Sequence, residues 1–131
     1  MKARKIMIVD RDQTARKKMA EYFENSHFEV ETTASAAYAI AQIVKKKKPI
    51  VILGDSFEEK IAPADVIALM HKCNKELRII LVSDDSSLET LRRMRADGIF
   101  YHALKPHSRE DNEELRSAVE SACEGFQPIP S

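Results

Sequence analysis

Residues 49–55 read Pro49-Ile50-Val51-Ile52-Leu53-Gly54-Asp55. An unbroken apolar run, stopped on one side by proline and on the other by Gly-Asp, predicts a short strand. Alternation would mark a strand with one wet face. A continuous run marks a strand covered on both faces, as in a parallel sheet. The same pattern recurs along the chain. Ile6-Met7-Ile8-Val9 ends at Asp10, Leu77 to Val82 ends at Ser83-Asp84-Asp85, and Ile99 to Leu104 is broken by Lys105-Pro106. Phe28 to Thr33 alternates and reads as one more strand.

Between these runs the apolar period changes to that of a helix. From Gln13 to Ser26, Ala15, Met19, Tyr22 and Phe23 share one stripe, with Asp12 placed to cap the first turn. Ser35 to Lys48 carries Ala36, Ala39, Ile40 and Ile43 inward, and Lys45 to Lys48 close it where cations favour a helix C-terminus. Pro49 then stops it. Pro63 or Ala64 opens a helix to about Lys75. Ser86 or Ser87 caps a fourth, through Ala96, whose Leu88, Leu91 and Met94 have core spacing, and Asp97-Gly98 ends it. A last helix follows Ser108 and runs to about Cys123. Strand and helix thus alternate five times, which predicts an α/β fold with right-handed crossovers around a parallel sheet.

Composition narrows the function. The 131 residues make about one domain. Lys plus Arg number 21 and so do Asp plus Glu, so the chain has no excess positive charge with which to bind nucleic acid. Only 3 glycines leave no material for a Gly-rich phosphate loop. Cys73 and Cys123 lack metal-ligand spacing and read as free thiols in a reducing compartment. The apolar run behind Met1-Lys2-Ala3-Arg4-Lys5 is too short for a signal peptide or a membrane span. The expectation is a cytoplasmic protein with no membrane and no nucleic-acid partner.

In parallel α/β sheets, ligands and chemistry sit at the carboxyl ends of the strands. Those ends carry Asp10, Asp55, Ser83 and Lys105. Each alone is an ordinary turn or cap residue. Together they bring two carboxylates, a hydroxyl and an ammonium to one edge.

With these stretches, and the span from Gly98 to Lys105-Pro106, the chain resembles the receiver domain of two-component response regulators over about residues 4 to 123. The resemblance implies a flavodoxin-like, doubly wound, five-stranded parallel sheet in the order 2-1-3-4-5 with five helices. It implies a receiver domain at residues 1–123 and a short C-terminal tail at 124–131. Asp55 would accept a phosphoryl group from a phosphohistidine, through a carboxylate nucleophile whose developing charge is met by fixed cations and donors. Lys105 would contact the carboxylate or phosphoryl oxygens. Ser83 would donate its hydroxyl to the phosphoryl group, and Ser83 with His102 would form the switch pair. Mg²⁺, where used, would be held by Asp10, Asp55 and the backbone carbonyl of Phe57. The implied partners are a sensor histidine kinase or phosphotransfer protein, and a downstream target or homodimer reached through the helix 4, strand 5 and helix 5 face. No enzymatic activity is implied beyond self-phosphorylation.

Three positions depart from that pattern. The family's adjacent acidic pair is here Asp10-Arg11, so Asp10, Arg11, Asp55 and Lys105 sum to a formal charge of zero. A hard divalent cation prefers a negative oxygen cage. Arg11 is expected either to fork onto Asp55 or to face solvent, with Asp12 supplying the lost carboxylate. Asp84 follows the strand-four serine and either opposes a phosphoryl donor or faces water as a cap. The loop Ser56-Phe57-Glu58-Glu59-Lys60-Ile61-Ala62-Pro63 lacks the family's Met-Pro step. The leading function is a phosphoacceptor receiver. The alternative is a pseudo-receiver that works as a phosphorylation-independent interaction or dimerisation module. A flavodoxin-like cofactor binder lacks its phosphate loop here, and an Asp-x-Asp phosphatase, spelled by Asp10-Arg11-Asp12, needs a longer chain.

Overall fold

The computed structural model describes residues 4–84, 92 and 98–124. Its elements run β1 (Arg4–Val9), α1 (Gln13–Asn25), β2 (Phe28–Thr33), α2 (Ala36–Ile43), β3 (Ile50–Leu53), α3 (Pro63–Cys73), β4 (Arg78–Val82), β5 (Tyr101–Ala103) and α4 (Arg109–Glu124). The strands form one sheet in the order β2-β1-β3-β4-β5, and every pair is parallel.

Strand periodicity splits the core into two. Met7, Val9, Val51, Leu53, Ile79 and Leu81 face α2 and α3. Their neighbours Ile6, Ile8, Ile50, Ile52, Ile80 and Val82 face α1 and α4. Successive side chains point to opposite faces, so both parities must be apolar when helices cover both sides. Ile8, Val9, Ile52, Leu53, Ile80 and Val82 have no exposed surface. The register sets Val9 beside Leu53 and Leu53 beside Leu81, so β1, β3 and β4 finish together.

The described residues contain four helices. The fourth predicted helix, from Ser86 or Ser87 to Ala96 with Leu88, Leu91 and Met94, lies outside them apart from Arg92. Two other expectations change. The second helix stops at Ile43 and not at Lys48, so the lysine run forms the loop into β3. Asn74, just past α3, donates its Nδ2 to the carbonyls of Ile43 (2.9 Å) and Lys46 (2.8 Å). The side chain thus takes carbonyls that a further helical turn would use. Lys48 then enters the left-handed region at φ 46 before Pro49. The fifth strand is also shorter than Ile99–Leu104. Phe100 donates to the Ile79 carbonyl (2.8 Å), but the ladder starts at Tyr101, and Leu104 beyond it is 51% exposed.

The helix starts follow the sequence reading. Asp12 caps α1 by accepting from Ala15 N, and Ser35 caps α2 by accepting from Tyr38 N. Ser108 Oγ accepts from Asp111 N (3.2 Å) at the head of α4. No helix among the described residues is long and apolar enough to cross a membrane. Cys73 and Cys123 are free thiols.

Asn74→Ala removes both side-chain bonds to the lysine loop. The expected loss is about 1–3 kcal/mol, from two carbonyls left without this donor, read as a lower urea midpoint with an unchanged slope.

Candidate functional site

Asp10, Asp55, Ser83 and Lys105 gather at the carboxyl edge of β1, β3, β4 and β5. Asp55 follows β3 by two residues, and its Oδ1 lies 3.6 Å from Lys105 Nζ. The Asp55 carboxylate stands at the mouth, 37% exposed, while the lysine is more enclosed at 18%. This pair is the chemical centre of the site: a reachable carboxylate beside an ammonium.

Asp10 differs in character. It is fully buried. Its Oδ1 accepts from Asp12 N (3.0 Å), and its Oδ2 has no hydrogen-bond partner among the described residues. Gly54 leaves the room it needs: a Cβ at position 54 would come within 2.5 Å of Asp10 Cγ. Burial raises the Asp10 pKa above its usual value. The Asp12 amide and the Lys105 charge pull it back, and the charges of Asp55 and Asp12 push it up.

Arg11 is exposed and has no ion pair among the described residues, so the expected fork onto Asp55 is not formed. Lys105 holds that place. The Arg11 amide donates to the Ser56 carbonyl (2.9 Å), which ties the end of β1 to the residue after Asp55. Asp12 is exposed and spends its Oδ1 on the α1 cap, accepting from Ala15 N (3.1 Å). It therefore does not turn in to replace the missing acid.

Ser83 is nearly buried, and its amide donates to the Ala103 carbonyl (3.1 Å). His102 pairs with Leu81 in the β4–β5 register and is half-buried. Tyr101 and Ala103 pack toward α1 and α4, so strand alternation sends His102 to the opposite face of the sheet. Asp84 is exposed and lies 3.5 Å from His107 Nε2, across the gap between β4 and the loop after β5. Phe57 is buried with its side chain in the α2–α3 core.

Two residues that the sequence reading left out shape this edge. Arg16 Nη1 donates to the Asp10 carbonyl oxygen (2.7 Å) and anchors the strand end to α1. Glu59 docks on the first turn of α2. Its carboxylate accepts from Ser35 Oγ (2.7 Å), Ala36 N (2.8 Å) and Ala37 N (3.1 Å). These donors, the serine hydroxyl first, hold its pKa down at about 2. The sequence signal was a glutamate in a loop facing a serine cap distant in the chain, and spacing alone does not pair them.

The donor set does not match an acidic metal cage. Among the described residues no group of three or more His, Cys, Asp or Glu side chains is placed to hold a metal ion. Asp12 caps a helix, position 11 carries a cation, and Lys105 already neutralises Asp55. Two carboxylates facing two cations fit a divalent ion poorly.

The chain belongs to the response regulator receiver domain family, which matches residues 6–120. Solved structures agree on the fold. A CheY-like receiver domain protein of Methanospirillum hungatei JF-1 superposes with a TM-score of 0.80 at 21% identity, covering 94% of this chain and 96% of the other. The signal receiver domain of an HD domain-containing protein from Pseudomonas fluorescens Pf-5 gives 0.81 at 18%, covering 95% and 97%. A chemotaxis response regulator of Vibrio cholerae gives 0.76 at 20%, covering 89% and 99%. No curated protein matches the chain. Receiver domains are signalling domains of two-component systems, and this chain has their sheet and their order.

The two unusual carboxylates predict opposite pH behaviour. Asp10 has a raised pKa, so its ionised form is disfavoured in the native state. That penalty is absent below the unfolded value near 3.8 and grows as pH rises above it. Asp10→Asn is expected to stabilise the fold at pH 7, with the gain vanishing as pH falls to 3.8, measured by urea unfolding across pH. Glu59 has a lowered pKa, so its contribution is full above 4.5 and is lost as pH falls through about 2. Glu59→Gln is expected to speed hydrogen exchange at the Ala36 and Ala37 amides at pH 7, with the difference from wild type shrinking in acid.

Proposed function

We propose that this receiver accepts a phosphoryl group on Asp55 in a phosphorelay and thereby changes a protein-binding surface. The observation that carries the reading is the Asp55–Lys105 pair at the carboxyl edge, 3.6 Å apart with the carboxylate facing solvent. A carboxylate oxygen of Asp55 attacks phosphorus in line, and the bond from phosphorus to the donor's leaving group breaks with its electron pair. Lys105 meets the charge that builds on the phosphoryl oxygens. Ser83, enclosed at the end of β4, is the hydroxyl that reports the new group, with His102 on β5 as its partner in the switch. A cleft of about 240 Å³ opens beside Lys105, between Asp12 on the α1 side and His107.

The donor in this reading is a sensor histidine kinase or a phosphotransfer protein in the cytoplasm. The responding surface is the face made by the predicted helix from Ser86 or Ser87 to Ala96, β5 and α4. β5 is the short edge strand of the sheet, and Leu104 stands exposed beside it. An edge strand with an exposed apolar neighbour suits a downstream target or a second copy of the chain. The receiver unit spans residues 1–123, with 124–131 as a tail.

A second reading, the pseudo-receiver, is favoured by one observation: Arg11 stands where the family's pattern has an acid. There the fold serves as an interaction module with no phosphoryl chemistry.

The two separate on one measurement. Incubation with acetyl phosphate or phosphoramidate, with and without Mg²⁺, is expected to add the mass of one phosphoryl group by intact mass spectrometry. Asp55→Asn is expected to abolish the adduct. A chain that stays unmodified with every donor, with and without Mg²⁺, is a pseudo-receiver.

A further inference from the structure

We infer that Arg11 takes the place of the divalent cation in this receiver, as the counter-charge that binds the phosphoryl group on Asp55. The inference rests on the phosphoacceptor reading above and adds how the site manages charge. Four observations lead to it. First, the Arg11 amide donates to the Ser56 carbonyl at 2.9 Å, so position 11 is fixed beside the phosphoacceptor loop. Second, the Arg11 side chain is exposed and has no ion pair among the described residues. Its charge is unpaired among the described residues, on a backbone tied to the residue after Asp55. Third, of the acids next to Arg11 that could build a metal cage, only one oxygen of Asp10 is left over. Asp12 caps α1, and Asp10 is buried against Gly54 with one oxygen taken by the Asp12 amide. Fourth, no set of three ligating side chains is available among the described residues.

The resting and phosphorylated sites differ in what they ask of Arg11. Before transfer, Lys105 already balances Asp55, and a second cation gains little in water. Transfer from acetyl phosphate forms a bond from the Asp55 carboxylate oxygen to phosphorus and breaks the bond from phosphorus to the acetate oxygen. Acetate leaves with the electron pair. The carboxylate monoanion becomes an acyl phosphate dianion, and Lys105 alone no longer balances it. A guanidinium offers a planar fork to two phosphoryl oxygens at once and does not lose its proton. Arg11 is thus a partner of the product and the transition state, and not of the free carboxylate. That accounts for an exposed arginine next to Asp10 with no ion pair among the described residues.

The test compares wild type, Arg11→Ala, Arg11→Lys and Arg11→Asp, each with acetyl phosphate in EDTA or in Mg²⁺. Adduct formation is followed by intact mass, with Asp55→Asn as the control for the modified residue. Mn²⁺ binding is measured separately by paramagnetic resonance, a readout independent of phosphorylation. Wild type is expected to form the adduct in EDTA at a rate that Mg²⁺ leaves unchanged. Arg11→Ala should slow it about 100-fold in EDTA, the scale for removing one charge-stabilising donor. Arg11→Lys should retain part of the rate, since it keeps the charge and loses the fork. Arg11→Asp should lose the EDTA rate, regain it with Mg²⁺, and bind Mn²⁺ where wild type does not. Thermal unfolding of each variant confirms that the fold is kept. A wild-type adduct that needs Mg²⁺, or an Arg11→Ala rate equal to wild type in EDTA, overturns the inference and leaves the phosphoacceptor reading standing. An adduct only on Arg11→Asp with Mg²⁺ also overturns it, because the arginine then disables the site. No adduct on any protein in any condition overturns the phosphoacceptor reading, and this inference with it.

Discussion

The parallel pairing of β1 with β3 is the constraint on which the rest of the molecule depends. Val9 opposite Leu53 ends both strands at one level, and Gly54 N donates to the Val9 carbonyl (2.7 Å) just beyond them. The two strand ends are held so close there that a Cβ on residue 54 would strike the Asp10 carboxyl. Asp10 is therefore sealed inside, and Asp55, one residue past Gly54, emerges at the surface with Lys105. The depth of one carboxylate and the exposure of the other come from the same backbone contact.

That difference in depth separates their chemistry. A buried carboxylate resists ionisation because water no longer solvates its charge. An exposed one beside an ammonium is reachable from solvent. A second buried acid at position 11 would make the pocket negative enough to draw in a divalent cation. With arginine at that position, the formal charges of Asp10, Arg11, Asp55 and Lys105 cancel. Arg16 fixes the same strand end by donating to the Asp10 backbone carbonyl from α1.

The sheet was legible in the sequence because burial on both faces leaves a plain trace. Ile50 to Leu53 shows no alternation, since both of its parities lie inside, one against α1 and α4 and the other against α2 and α3. The strand-end residues were legible for the same reason: where the apolar run stops, the edge begins. What escaped were contacts between loops far apart in the chain. Asn74 ending α2 and Glu59 capping it each depend on a three-dimensional approach that no local pattern encodes. Arg11 was legible as a departure, but its direction was not. Whether a guanidinium forks onto a carboxylate or stays in water depends on which other cation has already taken the carboxylate, and Lys105 comes from a different strand end.

The neutral count of 21 against 21 also hides a spatial order. At the amino end of the sheet a cleft of about 410 Å³ is lined by Arg4, Lys5 and Lys46 to Lys48 over an apolar floor. Three of these cations are met by glutamates at 3.1–3.7 Å: Lys46 by Glu31, Lys5 by Glu29 and Arg4 by Glu120. The positive charge at that end is thus largely answered by neighbouring elements, and it lies at the far end of the strands from Asp55. Balance is reached locally at each edge, by different residues. At the carboxyl edge the cation beside Asp55 is Lys105, and Arg11 is joined to the same loop through its backbone amide.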